Sequence, residues 1–206
     1  FAAPQTDWPP QVRLTGFLLH DAAEMQKMPA ELDSFLNGGE PPIVFTAGSA
    51  MRHGAWFYKE SVEACGLLGR RGVLLTPFAE QIPASLPFGI RHFPYVPFSR
   101  LLPRAAALVH HGGIGTTAQA LASGVPQLVM PMAYDQFDNA FRTARLGAGL
   151  HMKRRAYSAA AVAHSLDRLL RERTIHERCR AVAARFTGSD PASDACRLIE
   201  GAASAC

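Results

Sequence analysis

AALVHHGGIGTTAQALASGVPQLVMP, residues 106–131, decides how this chain is read. An apolar run of strand length, 106–110, enters three glycines. A helical stretch from Thr116 to Ser123 follows, Gly124 suits a left-handed helix cap, and Pro126 stands beyond it. QLVMP, 127–131, is a second short apolar run. Apolar runs with no polar alternation, joined through a helix, are the pattern of parallel strands covered on both faces.

The same alternation extends in both directions. Upstream, Pro41-Pro42 precede the strand IVFT (43–46) and a helical stretch at 54–69. GVLLT (72–76) and IRHF (90–93) are further strands, and a loop at 94–97 leads to a short helix through Leu101-Leu102. Downstream come a helix from Asp135 to Leu146 closed by Gly147, and the strand GLHM (149–152). Three helical stretches rich in Ala and Arg, at 158–171, 175–186 and 191–203, complete the chain. This predicts an α/β fold: a Rossmann-like parallel sheet with helices on both faces. Such sheets bind ligands outside the carboxyl ends of their strands. The loops to inspect are therefore 47–53, 77–80, 94–98, 111–116 and 131–137.

Composition narrows the class. The 206 residues suffice for one substantial core, and 48% hydrophobic with 18% charged residues is globular rather than disordered. The net charge of +4 is mild and the basic segments carry almost no aromatics, so nucleic acid is not an expected partner. Cys65, Cys179, Cys196 and Cys206 form no CxxC and no His-Cys cluster, so free thiols in a reducing cytoplasm are expected. No run of 18 apolar residues occurs, and no signal-peptide pattern opens the chain. The start at Phe1 with the proline-rich FAAPQTDWPP reads as a cut inside a longer protein.

The chemistry lies in His110 to Thr117. Three glycines allow close backbone approach and positive φ, and the following helix offers unpaired amides and the positive end of its dipole to an anion. Thr116 and Thr117 add hydroxyls, and His111 a further donor. A diphosphate fits; so does a tight turn whose glycines serve packing alone. Gly113-x-Gly115-x-x-Ala118 also matches a dinucleotide fingerprint, with Asp135 22 residues beyond Gly113. That motif normally opens the first strand–helix unit, whereas here it follows the fourth strand. No P-loop, HExxH or G-x-S-x-G pattern occurs. His110 and His111 are adjacent and point to opposite faces of a strand, a poor metal chelate.

Together these residues resemble the donor-binding domain of UDP-glycosyltransferases of the two-domain GT-B fold, nearest the bacterial and sterol-glucosyltransferase branch. The resemblance rests on residues 95–149, YVPFSRLLPRAAALVHHGGIGTTAQALASGVPQLVMPMAYDQFDNAFRTARLGAG. VRLTGFLL (12–19), PAELDSFL (29–36) and IVFTAGSA (43–50) add to it. It implies 1–20 as an entry segment from a missing N-terminal domain and 21–206 as the nucleotide-sugar-binding Rossmann-like domain.

The resemblance also implies roles. Tyr95 stacks on the base where Trp is usual, and Val96 offers the base its backbone. Ser49 lies near the phosphates. His111 bonds a donor phosphate, with Gly113, Gly115, Thr116 and Thr117 lining the diphosphate pocket. Asp135 and Gln136 hold sugar hydroxyls. Gln119 stands where plant relatives carry Glu for the ribose, and Phe98 where Gln or His often follows the proline. The implied reaction is inverting transfer of a hexose from a UDP- or dTDP-sugar to a hydroxyl of a lipid or small-molecule acceptor. It needs no cofactor and no metal, and its base comes from the missing domain, so this chain alone is expected to bind donor and transfer little. A nucleotide-sugar 2-epimerase-like protein and a non-catalytic nucleotide-sugar-binding module are the other readings of the same architecture. Lys153-Arg154-Arg155 is either a solvated face or a peripheral contact with an anionic membrane.

Overall fold

A computed structural model describes residues 1, 4–21, 23, 25–188 and 190–203. Its elements in chain order begin with α1 (Ala30–Asn37), β1 (Ile43–Thr46), α2 (Ala55–Leu68), β2 (Gly72–Leu75), β3 (Ile90–Phe93) and α3 (Phe98–Leu101). β4 (Ala107–His110), α4 (Ile114–Ser123), β5 (Gln127–Val129), α5 (Gln136–Arg145) and β6 (Gly149–His151) follow. α6 (Ala159–Arg171), α7 (Arg173–Ala183) and α8 (Pro191–Ala203) end the chain. The six strands form one sheet in the order β3-β2-β1-β4-β5-β6, and every pair is parallel.

Side-chain alternation divides the core between two faces. Ile43 and Phe45 of β1 join Leu74, Val109 and Leu128 on one face, under Phe57 and Ala64 of α2 and Val162 and Leu166 of α6. Val44 joins Val73, Leu75 and Leu108 on the other, against Leu32 and Leu36 of α1, Leu101 of α3 and Ala120 of α4. Both faces of β1 are dry, which is why its sequence shows no polar alternation.

Two boundaries differ from expectation. α4 starts at Ile114 rather than Thr116, because the Thr117 amide and hydroxyl both donate to the Gly113 carbonyl (2.9 and 3.0 Å) and close a turn over the glycines. α1 shows no helical period in the sequence; its two buried leucines span barely one turn, and Arg104 holds it from outside through Asp33 (2.6 Å) and Asn37 (2.7 Å). Cys65, Cys179 and Cys196 are free, while Cys206 lies outside the described residues. Among the described residues no helix is long and apolar enough to cross a membrane.

The order reverses between β1 and β4, whose last residues Thr46 and His110 pair directly. Chains leaving these ends diverge to opposite faces and leave a crevice there. Tyr58 of α2, fully buried, fixes the β1 side: its hydroxyl donates to the Leu75 carbonyl (2.8 Å) and accepts from the Ala47 amide (3.2 Å). Tyr58→Phe strips both groups of their partner in a dry site, a cost of about 1–3 kcal/mol. Urea unfolding should show that loss; an unchanged midpoint would mean that Tyr58 does not anchor this loop.

Candidate functional site

Two loops meet at the reversal: 47–53 after β1, and 111–113 between β4 and α4. His111 joins them. A Cβ on Gly48 would lie 2.8 Å from its imidazole Cε1 and Nε2, and one on Gly113 only 2.5 Å from Nε2. The ring therefore occupies a slot that exists because both neighbours lack side chains. Gly48 also has a φ of +96°, a left-handed turn that favours glycine. Within the slot, His111 Nδ1 is buried and has no hydrogen-bond partner. Burial lowers the His111 pKa, and the Asp135 carboxylate partly restores it.

His110 does different work. Its Nδ1 accepts from the Gly112 amide (3.1 Å), so Nε2 carries the proton and donates to Gln127 Oε1 (2.9 Å). The two rings stand 6.3 Å apart at 88°, and both His110 nitrogens are engaged, so the pair cannot converge on one ion. His110 instead holds the glycine loop to the sheet.

The loop after β5 is tied to the same place. Asn139 Nδ2 donates to the Gly112 carbonyl (2.9 Å) and to Asp135 Oδ2 (2.8 Å), so one buried amide orients the carboxylate and clamps it to the glycine loop. Gln136 Oε1 accepts from the Met132 and Ala133 amides (2.9 and 3.0 Å). The acceptor oxygen of Gln136 thus shapes the loop, and the sugar-hydroxyl role expected of it would fall to its amide nitrogen. Asp135 itself is exposed at the mouth of the crevice.

The other expected residues separate into groups. Ile114, Gly115 and Thr116 form the first turn of α4, where amides have no carbonyl partner within the helix. Ser49 is exposed just after the Gly48 turn. Thr117 faces inward, with both its donors spent on Gly113. Gln119 is buried and donates to the His20 carbonyl (3.1 Å), which ties the chain before α1 to α4 rather than opening the amide to the crevice. Tyr95 is half-exposed on the loop after β3, and the Val96 side chain is buried in the core beneath it.

Sequence reasoning missed His110, Gln127, Asn139 and Tyr58 as supports of this site. Asn139 left a signal: it stands four residues after Asp135, one helical turn along the same face. A cavity of about 980 Å³ also opens between residues 13–20, Phe186 and the start of α8, but none of the crevice loops lines it.

Comparison with known proteins fits this geometry. Residues 73–198 match the family described as erythromycin biosynthesis protein CIII-like, C-terminal domain. The chain is 34% identical over 196 residues to O-mycaminosyltylonolide 6-deoxyallosyltransferase of Streptomyces fradiae, covering 94% of this chain and 46% of that protein. It is 32% identical over 167 residues to a sterol 3-beta-glucosyltransferase of Saccharomyces cerevisiae (strain YJM789), covering 73% of this chain and 14% of that enzyme. Among solved structures, the glycotransferase of kitacinnamycin superposes with a TM-score of 0.75 at 26% identity, over 91% of this chain and 48% of that one. The glycosyltransferase VinC in complex with dTDP gives 0.65 at 26% identity, over 81% and 43%. This chain belongs to the erythromycin biosynthesis protein CIII-like C-terminal family, the sheet is the C-terminal half of a GT-B fold, and the chain spans about half the length of relatives that it matches nearly end to end.

The buried His110 makes the site sensitive to acid. Burial lowers its pKa from 6.5 to about 3. The unfolded chain takes up this proton near pH 6.5 and the folded chain resists it, so acid favours unfolding across that window. Stability should decline by about 1.4 kcal/mol per pH unit as pH falls through it. His110→Asn should be less stable at pH 7 yet decline less steeply below pH 6.5. Equal slopes in denaturation series would show that His110 is not held neutral.

Proposed function

We propose that this chain is the donor-binding domain of an inverting glycosyltransferase that moves a hexose from a UDP- or dTDP-sugar to a hydroxyl of a lipid or small-molecule acceptor. The observation that carries the reading is His111, whose ring is wedged between Gly48 and Gly113 with its Nδ1 unpartnered, three residues before α4 opens at Ile114. A buried nitrogen without a partner is costly unless a ligand completes it. The helix N-terminus that follows favours an anion.

Each group then has a part. The Ile114, Gly115 and Thr116 amides and the α4 dipole meet the diphosphate, together with His111. As the bond from the anomeric carbon to the diphosphate breaks, negative charge grows on the departing oxygen, and donors fixed in advance stabilise it without reorganising. The reading assigns that charge to protein groups rather than to a resident metal or cofactor. Asp135, oriented by Asn139, accepts from sugar hydroxyls. Tyr95 offers a ring face to the base. The base that takes the acceptor's proton comes from a domain outside this chain, so the chain by itself binds donor and transfers little.

The family membership supports the donor role, and the relative seen with dTDP supports a pyrimidine nucleoside diphosphate. A 6-deoxyallosyltransferase and a sterol glucosyltransferase among the relatives support a hexose as cargo. Calorimetry should detect UDP or dTDP binding to the wild-type chain. His111→Ala and Thr116→Ala should each weaken it by about tenfold or more, the scale of a lost hydrogen bond to a charged group. Equal affinity in wild type and both variants would sink the assignment.

A further inference from the structure

A second concave region lies away from the crevice. The cavity of about 980 Å³ beside α8 is walled by residues 13–20, by Leu121 of α4, by Val182 of α7 and by Phe186. Its walls are fixed. Phe17 stacks on Phe186 (6.1 Å between centroids, 10° between planes), and the Gln119 side chain holds the His20 carbonyl at 3.1 Å. Even so, Leu14 is 58% exposed and Leu18 65%, two large apolar side chains whose burial the fold leaves incomplete.

A smaller cavity of about 330 Å³ adjoins it, and the two share Leu146, Val182 and Arg185. Here the chemistry changes. Arg145 at the end of α5, Arg178 of α7 and Arg185 just after α7 line the smaller space. Arg178 lays its methylenes on the Gly147 turn, where a Cβ would come within 3.1 Å of its Cγ. Elsewhere on these helices arginines pair with an acid one turn away, Arg142 with Asp138 and Arg173 with Glu177 (2.6 and 2.8 Å). Among the described residues, Arg145, Arg178 and Arg185 pair with no carboxylate. The last turns of α5 and α7 supply about half a negative charge each, so about two positive charges remain unmatched. Asp190, on the wall of the larger cavity, is committed to the Ser193 amide and hydroxyl (3.1 and 2.6 Å).

We propose that the two adjoining cavities bind a free anionic amphiphile, with one alkyl chain in the larger and its phosphate or carboxylate head on Arg145, Arg178 and Arg185. Guanidinium groups present paired N–H donors that match either oxyanion. The chain covers Leu14 and Leu18 and loses its own contact with water. Arg185 lines both cavities, so head and chain meet there. Shape selects this occupant over a protein. A stable protein partner needs a face of roughly 800 Å², whereas here the apolar surface is recessed and the charge sits at one end. Both volumes are of the size that holds small ligands. The site is separate from the crevice, and the inference does not rest on the donor reading.

The test titrates the chain with dodecyl phosphate, kept below its micelle-forming concentration, and follows amide NMR shifts. Shifts should fall on residues 14–20, Leu146 and Val182. Dodecyltrimethylammonium has the same chain and the opposite charge, and inorganic phosphate has no chain; each should bind at least about tenfold more weakly. Arg178→Gln/Arg185→Gln should weaken dodecyl phosphate by about tenfold and Leu18→Ser by about threefold, while the rest of the amide spectrum stays in place. Arg145→Gln supplies the same comparison if the double variant fails to fold. Equal binding of the two charged amphiphiles would overturn the proposal, as would equal dodecyl phosphate affinity in the arginine variants. So would binding to phosphatidylglycerol vesicles without binding of monomeric dodecyl phosphate, which marks a membrane-surface patch instead.

Discussion

The site depends on one steric fact: an imidazole lies where Gly48 and Gly113 have no side chains. β1 and β4 end side by side, and the chain must leave them toward opposite faces. Any side chain on either glycine would drive the His111 ring out. The buried edge of that ring keeps a nitrogen, Nδ1, without a hydrogen-bond partner. Folding alone does not favour such an atom, and an anion with lone pairs to share would satisfy it.

The surrounding structure serves to hold that slot. His110 anchors the glycine loop to β5 through Gln127, Tyr58 anchors the opposite loop to β2, and Asn139 brings the third loop against Gly112. These are neutral hydrogen bonds in dry surroundings, where each broken one leaves a costly orphan. The groups facing the crevice are different in kind: Asp135, Ser49 and Tyr134 are exposed, and the amides of the first turn of α4 lack helical partners. Rigid supports behind and unsatisfied groups in front suit a site that must recognise charge without rearranging.

Much of this was legible in the residues. Strands buried on both faces show as unbroken apolar runs, so 43–46, 72–75, 90–93 and 107–110 could be read within a residue. The glycines, His111 and Asp135 stood out because their types are rare in such runs. What stayed hidden depends on contacts between distant segments. α1 has too few apolar turns to show a period, and Arg104 stabilises it from 67 and more positions away. The resemblance gave Gln119 a ribose role, but its amide reaches the His20 carbonyl, 99 positions earlier in the chain. Thr117 looked like a hydroxyl for phosphate, yet the start of α4 at Ile114 turns it inward. A shift of two residues in a helix start rotates every side chain by about half a turn, which local sequence cannot fix.

Residue-resolved amide shifts on titrating the chain with UDP test the central claim most directly. The account predicts that the largest changes fall on Gly48, Ser49 and Gly113 to Thr116. Changes concentrated instead on residues 13–20 and Pro191-Ala192, which line the apolar cavity beside α8, would contradict it.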